Sequence, residues 1–293
     1  MTRTSTPTKA KPKPKPKAAT APSPSTSTNA AASASASAPA SASASAKPLE
    51  EFALRLGDDA LIMSHRLTQW ITRAPELEDE VALANIALDL LGQARAMLAV
   101  AGRSSGRTED ELAFERTDDE YRNALLTELP TVDFADTVVR LLFFATYQCL
   151  WYAELAGCAD QELAALAAKA GTEVAYHRQY AETWAIRLGD GTEESHERMA
   201  RALADLWPYT GELFAQDDLI DQLTAEGLAP DPAPVYGRWL EQVTETLIAA
   251  TLGPPPSGTW RPAGGRYGVH TEALAYLLAE MQSVYRAHPG AAW

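Results

Sequence analysis

The sequence is short of residues on which several classes of protein depend. Only two cysteines occur, Cys149 and Cys158, and their spacing matches neither a disulfide framework nor a zinc site. No apolar run approaches the roughly 18 residues that a membrane span requires. The N-terminus lacks the apolar core of a secretory signal, and Arg3 is its only arginine, whereas transit peptides are arginine-rich. These absences favour a cytoplasmic protein without a membrane partner.

The first 48 residues also lack every acidic, aromatic and branched aliphatic residue. They consist of a Lys/Pro run at 11–17, a Ser/Thr/Pro stretch and an alternating Ala/Ser run at 32–46. Such a segment cannot bury enough apolar surface to offset the entropy of ordering it. We therefore predict a disordered tail over residues 1–48 and a folded domain over residues 49–293. The tail could contact nucleic acid, but blocks of like charge usually stay solvated, so a solubilising linker is the simpler interpretation.

Lysine is almost absent from the predicted domain, where Lys169 is the only one. Because the chain has a formal net charge of −14 and the tail contributes +7, residues 49–293 carry −21. Such an acidic body repels nucleic acid and anionic membranes, so we expect neither as a partner. Alternating strand patterns are also missing, which predicts an all-α domain with four long central helices.

The segment that organises the predicted bundle runs from Ala74 to Ala101. Pro75 and the acidic residues after it suit the first turn of a helix. An apolar stripe at steps of three and four predicts the buried face: Leu77, Val81, Ala84, Leu88, Leu91 and Leu98. A polar row of Asn85, Asp89 and Gln93 lies beside that stripe. Because a buried carboxylate needs a partner or a metal, the function depends on what Asp89 meets across the bundle.

The other predicted helices are bounded by proline, glycine and capping residues. They are 48–70, Glu109–Arg116, Asp118–Leu129, Asp133–Gly157, Asp160–Leu188, a helix from Glu193 that is interrupted near Pro208, Asp217–Ala225, Val235–Leu252 and His270–Ala287. The helix from Asp133 is apolar almost all round, which predicts a central position.

Long helices with inward acids and histidines suggest a carboxylate di-iron bundle, which needs two Glu and two Glu-x-x-His pairs. Only His196 has a Glu three residues before it, Glu193, and this pair lies in a polar run at a helix start. The bundle centre offers Asp89, Glu173 and His177, too few ligands for two irons. We therefore predict no catalytic or metal-binding residue, and hydrogen bonds that satisfy Asp89 and His177. The alternative is an autonomous ferritin-like metalloenzyme that uses these three residues.

Seven segments of the domain together resemble one known family. They are LRLGDDALIMSHRL from Leu54, APELEDEVALANIALDLLGQAR from Ala74, LAFERTDDEYRN from Leu112, DFADT from Asp133, EVAYHRQYAETWAIRLGDGT from Glu173, LWPYTGELF from Leu206 and GGRYGVHTEALAYLLAEMQ from Gly264. This combination is similar to the C subunits of ring-1,2-phenylacetyl-CoA epoxidase. The similarity covers almost all of residues 49–293 and none of the tail.

The resemblance implies a ferritin-like helical bundle within a multicomponent bacterial monooxygenase of aerobic phenylacetate breakdown. In such a complex a homologous A subunit holds the di-iron centre, and a B subunit serves as a bridging subunit. An NADPH-linked iron–sulfur flavoprotein supplies electrons. The C subunit is the non-catalytic structural partner, so the isolated chain is expected to be inactive and to hold no cofactor. The missing Glu-x-x-His pairs agree with that role independently.

Two further sets of residues are candidates for contacts outside the chain. Surplus aromatics would anchor a partner subunit or fill a second layer of the core: Trp207, Tyr209, Phe214, Tyr236 and Trp239. The segment 261–272 holds two adjacent glycines before a predicted helix start. With Arg261, Arg266 and His270, this arrangement could receive the phosphates of an acyl-CoA. The alternative is a tight connector whose arginines pair with acids of a neighbouring subunit, since the spacing matches no established phosphate loop.

Overall fold

Apolar residues at helical spacing, with capping side chains between them, divide the chain into a series of helices. A computed structural model of the chain describes residues 46–253 and 260–291, and this part contains eleven α-helices and no strand. The α-helices are α1 (Ala46–Thr68), α2 (Leu77–Ala101), α3 (Glu109–Phe114), α4 (Leu125–Glu128), α5 (Phe134–Leu155), α6 (Gln161–Gly189), α7 (Glu193–Leu206), α8 (Asp218–Ala225), α9 (Pro232–Ala249), α10 (Glu272–Met281) and α11 (Ser283–Ala287). Short 3-10 helices cover Asp118–Glu120, Trp207–Phe214 and Gly265–Tyr267.

The four longest helices form the centre of the bundle. α1 pairs with α2, α5 pairs with α6, and contacts between α2 and α6 join the two pairs. Helices α7 and α9 pack against α5 and α6 from outside. In α5, 18 of the 22 residues are buried, as its apolar composition predicts. The predicted all-α, ferritin-like bundle with four long central helices is confirmed.

Side-chain caps set three of the helix starts at the predicted places. Asp133 accepts a hydrogen bond from the N–H of Ala135 at 2.9 Å, in front of α5. Asp160 accepts from Leu163 N at 2.8 Å in front of α6, and Asp217 caps α8 in the same way. A carboxylate in this position satisfies backbone N–H groups that have no partner inside the helix, so the preceding aspartate marks the boundary.

Other boundaries differ from the prediction. Helix α1 begins at Ala46, inside the predicted tail, while the rest of that tail lies outside the described residues. The predicted helix Asp118–Leu129 is instead a 3-10 turn, an extended segment and the short α4. Its middle is extended because the backbone N–H groups of Arg122 and Ala124 bond to carboxylates of α1 rather than to helical carbonyls.

Only part of the predicted apolar stripe of α2 is buried: Leu98 is 1% exposed, as predicted, but three other members lie on the surface. Leu77, Val81 and Leu88 are 70%, 55% and 64% exposed, and we call these three residues the α2 face. The rest of the buried face is a second apolar stripe, which the prediction did not include: Leu83, Ile86, Ala87, Leu90, Ala94 and Met97. Both stripes have helical spacing, and the packing of the neighbouring helices decides which of these residues are buried.

Helix α2 is also long and apolar enough to cross a membrane, judged by length and composition. Half of its most apolar window is buried inside the protein. A core helix of a bundle passes the same test, so this is weak evidence for a membrane span.

Candidate functional site

The polar row of α2 meets polar side chains of α6 and α5 at the bundle centre. The buried His177 donates from Nε2 to Oδ2 of Asp89 over 3.0 Å, so one hydrogen bond of the predicted kind is present, while Nδ1 of His177 has no partner among the described residues. Gln93 donates from Nε2 to Oε2 of Glu173 at 3.1 Å. Gln148 of α5 donates to Oε1 of Gln93 at 3.3 Å, which links three of the four long helices.

Asp89 is less buried than the sequence predicts, because 38% of its side chain is exposed. Water can therefore solvate this carboxylate, and it needs no metal to offset the cost of burial. Burial lowers the pKa of His177 below its ordinary value, although Asp89 opposes that shift. The imidazole is consequently neutral at physiological pH and serves as a hydrogen-bond donor to Asp89.

These residues do not fit a di-iron centre. Such a centre needs four carboxylates and two histidines from four helices. Here the amides of Gln93 and Gln148 stand between Glu173 and the Tyr152 hydroxyl, and amides are poor ligands for iron. Among the described residues, no group of three or more His, Cys, Asp or Glu is placed to hold a metal ion. The alternative of an autonomous metal site therefore has no support from this geometry.

A second polar centre, which the sequence did not predict, lies where the family-like motifs meet. All of its members are buried, and we call them the charged cluster: Asp58, Asp59, Arg116, Glu128, Glu212, Arg266 and His270. The sequence feature from which it could have been predicted is the tandem Asp58-Asp59 inside an otherwise mainly apolar stretch of α1. Because an unpaired buried charge is costly, such acids require partners from elsewhere in the chain.

Arg266 binds Asp59 through two parallel hydrogen bonds of 3.0 Å (Nη1 to Oδ1) and 2.8 Å (Nη2 to Oδ2). The backbone N–H of Ala124 adds a third donor to Asp59 at 2.7 Å. Burial by itself lowers the pKa of Arg266, but the Asp59 carboxylate outweighs this effect and raises that pKa above its ordinary value. Arg266 is therefore a charged internal partner of α1.

Asp58 is held in the same way by a different arginine. Arg116 donates hydrogen bonds to both carboxylate oxygens of Asp58, with Nη1 2.9 Å from Oδ2. The backbone N–H of Arg122 also donates to Oδ2 of Asp58, at 2.8 Å. The guanidinium of Arg116 also lies over the ring of Tyr121, 4.1 Å from its centroid. The two adjacent aspartates of α1 thus anchor two separate segments of the chain.

Two glutamates of the charged cluster bind backbone N–H groups. Glu212 accepts from Leu125 N at 2.7 Å and from Gly264 N at 2.8 Å, which ties α4 to the segment 261–272. Glu128 accepts from Thr271 N at 2.6 Å, directly in front of α10. The start of this helix is therefore already occupied by a carboxylate of the same chain.

These contacts overturn the acyl-CoA prediction for Arg266 and His270, because both side chains are buried against acids of their own chain. The predicted pairing with acids of a neighbouring subunit is wrong for the same reason. Arg261 lies apart from them on the surface, and its predicted contact with a ligand or a partner remains a prediction.

The glycines of this segment bring its backbone close to the chain itself. A Cβ atom on Gly265 would lie 2.1 Å from the carbonyl oxygen of Asn123. One on Gly268, whose φ is +76°, would lie 2.1 Å from the carbonyl oxygen of Asp119. The glycines therefore serve the packing of 264–268 on 119–123, and not the approach of a ligand.

His270 uses both ring nitrogens as donors. Nδ1 lies 2.7 Å from Oε2 of Glu128, and Nε2 lies 3.0 Å from the carbonyl oxygen of Tyr121. Both partners accept hydrogen bonds, so this geometry favours the doubly protonated imidazolium. Burial by itself lowers the pKa of His270, but Glu128 outweighs it and the pKa is raised.

The stabilising contribution of His270 is expected to disappear at alkaline pH. The unfolded histidine has a pKa of about 6.5 and the folded one a higher pKa, so the contribution is complete below about pH 6.5 and falls as pH rises through the folded pKa. Urea unfolding of the wild type and of His270→Gln, from about pH 6 to about pH 9, should show the wild-type advantage shrinking. An advantage that stays constant or grows with pH would contradict the imidazolium assignment.

The aromatic residues proposed as partner anchors mostly belong to the core. Trp207 and Trp239 are buried, stack at a centroid distance of 5.4 Å and contact Phe143, so of the two alternatives they fit the second layer of the core and not a partner anchor. Tyr209, Phe214 and Tyr236 are half-buried against the same cluster. These rings fill a second layer between α5 and α9, because α9 packs there against the apolar side of α5.

Comparison with known proteins agrees with the motifs. Residues 32–293 match the family described as "Phenylacetic acid catabolic protein". Over 246 residues the chain is 43% identical to the C subunit of the 1,2-phenylacetyl-CoA epoxidase of Escherichia coli (strain K12), and the match covers 84% of this chain and 99% of that protein. The resemblance found in the sequence is confirmed, and this chain belongs to the phenylacetic acid catabolic protein family.

Proposed function

We propose that this chain is the non-catalytic C subunit of a phenylacetyl-CoA epoxidase, and that it binds and stabilises a homologous catalytic subunit. The relative from Escherichia coli, which bears the name of that epoxidase, aligns over 99% of its length. The observation that carries the non-catalytic role is the bundle centre, where the polar side chains of α2, α5 and α6 bind one another.

In this role the cofactors belong to the other subunits. The di-iron centre lies in the catalytic partner, and NADPH, flavin and iron–sulfur clusters belong to the reductase, while a bridging subunit makes up the rest of the cytoplasmic complex. This chain contributes a stable helical surface. Its charged cluster supports that role, because it ties α1, α4 and the segment 261–272 into one rigid unit.

The α2 face is the surface that we assign to the catalytic partner. Large apolar side chains exposed along three turns of one helix are unusual for a surface that stays in water. Beside Leu88, a pocket of about 220 Å³ opens between α2 and α6, with Gly92 on one wall and Lys169 on the other. A partner helix that covers the α2 face could insert a side chain into this pocket.

Co-expression of the full chain with the products of neighbouring genes tests the proposal. We expect the chain alone to bind little iron and to show no turnover of phenylacetyl-CoA. The co-purified complex should bind iron and turn over phenylacetyl-CoA. The catalytic partner should melt at a lower temperature without this chain. Stoichiometric iron and turnover in the isolated chain would support the metalloenzyme alternative instead. A partner of unchanged stability and activity without this chain would contradict the stabilising role.

A further inference from the structure

A concave pocket of about 380 Å³ lies on the surface between the 3-10 helix Trp207–Phe214, the start of α9 and residues 261–263. Its walls are mainly apolar: Phe214, Ala215, Pro232, Ala233, Tyr236, Pro262 and Ala263. The rings of Phe214 and Tyr236 meet edge to face at 5.2 Å, which gives the pocket a firm aromatic wall. This volume falls within the usual range of small-molecule sites, about 300–1,000 Å³.

Arg261 provides the charge of this pocket. It is exposed, and it forms no hydrogen bond or ion pair with any residue that the structure describes. Its side chain lies along Gly211, where an added Cβ would come within 3.4 Å of Nη1 and 3.7 Å of Cδ. The absence of a side chain at Gly211 therefore leaves room for the guanidinium at the wall of the pocket.

The acid that also lines this pocket does not neutralise Arg261. Glu212 is buried, and its two carboxylate oxygens accept hydrogen bonds from the backbone N–H groups of Leu125 and Gly264. The side-chain amide of Gln216 donates a hydrogen bond from Nε2 to Oδ1 of Asp221 at 2.7 Å. The pocket thus combines an apolar, partly aromatic wall with a guanidinium that no described residue pairs, in a protein whose formal net charge is −14.

We propose that this pocket binds a small aromatic monocarboxylate, with its ring against Phe214 and Tyr236 and its carboxylate on Arg261. A guanidinium receives a carboxylate through two parallel charge-assisted hydrogen bonds, and a flat ring suits walls of proline and aromatic side chains. A single cation fits a monoanion better than the several phosphates of coenzyme A. The site does not depend on the proposed role as an epoxidase subunit.

Calorimetric titration of the full chain with phenylacetate tests this site. We expect a dissociation constant on the order of 1 mM, since the ligand is small and the pocket is open. Phenylacetamide, which keeps the ring and lacks the charge, should bind about tenfold more weakly or worse. Arg261→Gln should weaken phenylacetate binding to the same extent, because it removes the charged donor and leaves the apolar wall intact.

The matched control is Arg73→Gln, which removes another exposed arginine in the turn before α2. This variant should bind phenylacetate as the wild type does. No binding of phenylacetate up to about 10 mM would overturn the proposal. Equal affinity for phenylacetamide, or unchanged affinity in Arg261→Gln, would also overturn it, because Arg261 would then not receive the carboxylate.

Discussion

Replacing Arg266 by methionine is expected to lower the free energy of unfolding by about 3–5 kcal/mol, which is the usual cost of removing one partner of a buried ion pair. The side chains of Arg266 and Asp59 are 7% and 3% exposed, so water does not replace the lost guanidinium. The carbonyl oxygen of Arg122 loses a donor at the same time, since Nη1 of Arg266 lies 2.9 Å from it.

Urea denaturation of the full chain measures this effect, with two variants for comparison. Arg261→Gln changes an exposed arginine five residues away and should alter stability by less than about 0.5 kcal/mol. The double variant Asp59→Asn with Arg266→Met should be more stable than the sum of the single changes predicts, because the stranded charge is removed. Wild-type stability of Arg266→Met, together with a loss of acyl-CoA affinity, would instead assign this arginine to a ligand.

Replacing Leu88 by arginine is expected to weaken binding of the catalytic subunit by about a hundredfold or more while the helical fold remains. This result rests on the proposed function. Leu88 is 64% exposed, so a larger polar side chain can extend into solvent without disturbing α2. In a complex that covers the α2 face, the guanidinium of the introduced arginine would lose its contact with water and gain no hydrogen-bond partner. This desolvation would reduce the binding free energy by several kcal/mol.

Ile248→Arg is the matched control, because Ile248 is 63% exposed and lies on α9, outside the α2 face. Co-purification with the catalytic subunit should fail for Leu88→Arg and succeed for Ile248→Arg, with unchanged helical circular dichroism in both. Wild-type binding by Leu88→Arg would place the interface elsewhere. Equal loss in both variants would show that added positive charge, rather than the α2 face, disturbs the complex.

Local chemistry was sufficient to predict the long helices and the class of fold. Spacing of apolar residues and capping by Asp133, Asp160 and Asp217 depend on neighbours within a few positions along the chain. The types of residue on the long helices were also sufficient to argue against a di-iron centre. The hydrogen bond between Asp89 and His177 was predictable because each residue lies beside the apolar face of its helix, and the two helices pack together.

The roles of individual surfaces depended on contacts between distant parts of the chain. Sequence periodicity marks two apolar stripes on α2, and only the packing of α1 and α6 leaves Leu88 in solvent. Glycines and cations in 261–272 are typical of an anion site, yet Arg266 lies 207 positions from the Asp59 that it binds. No local sequence pattern predicts such a pair, because the two residues come within hydrogen-bond distance only when the chain is folded.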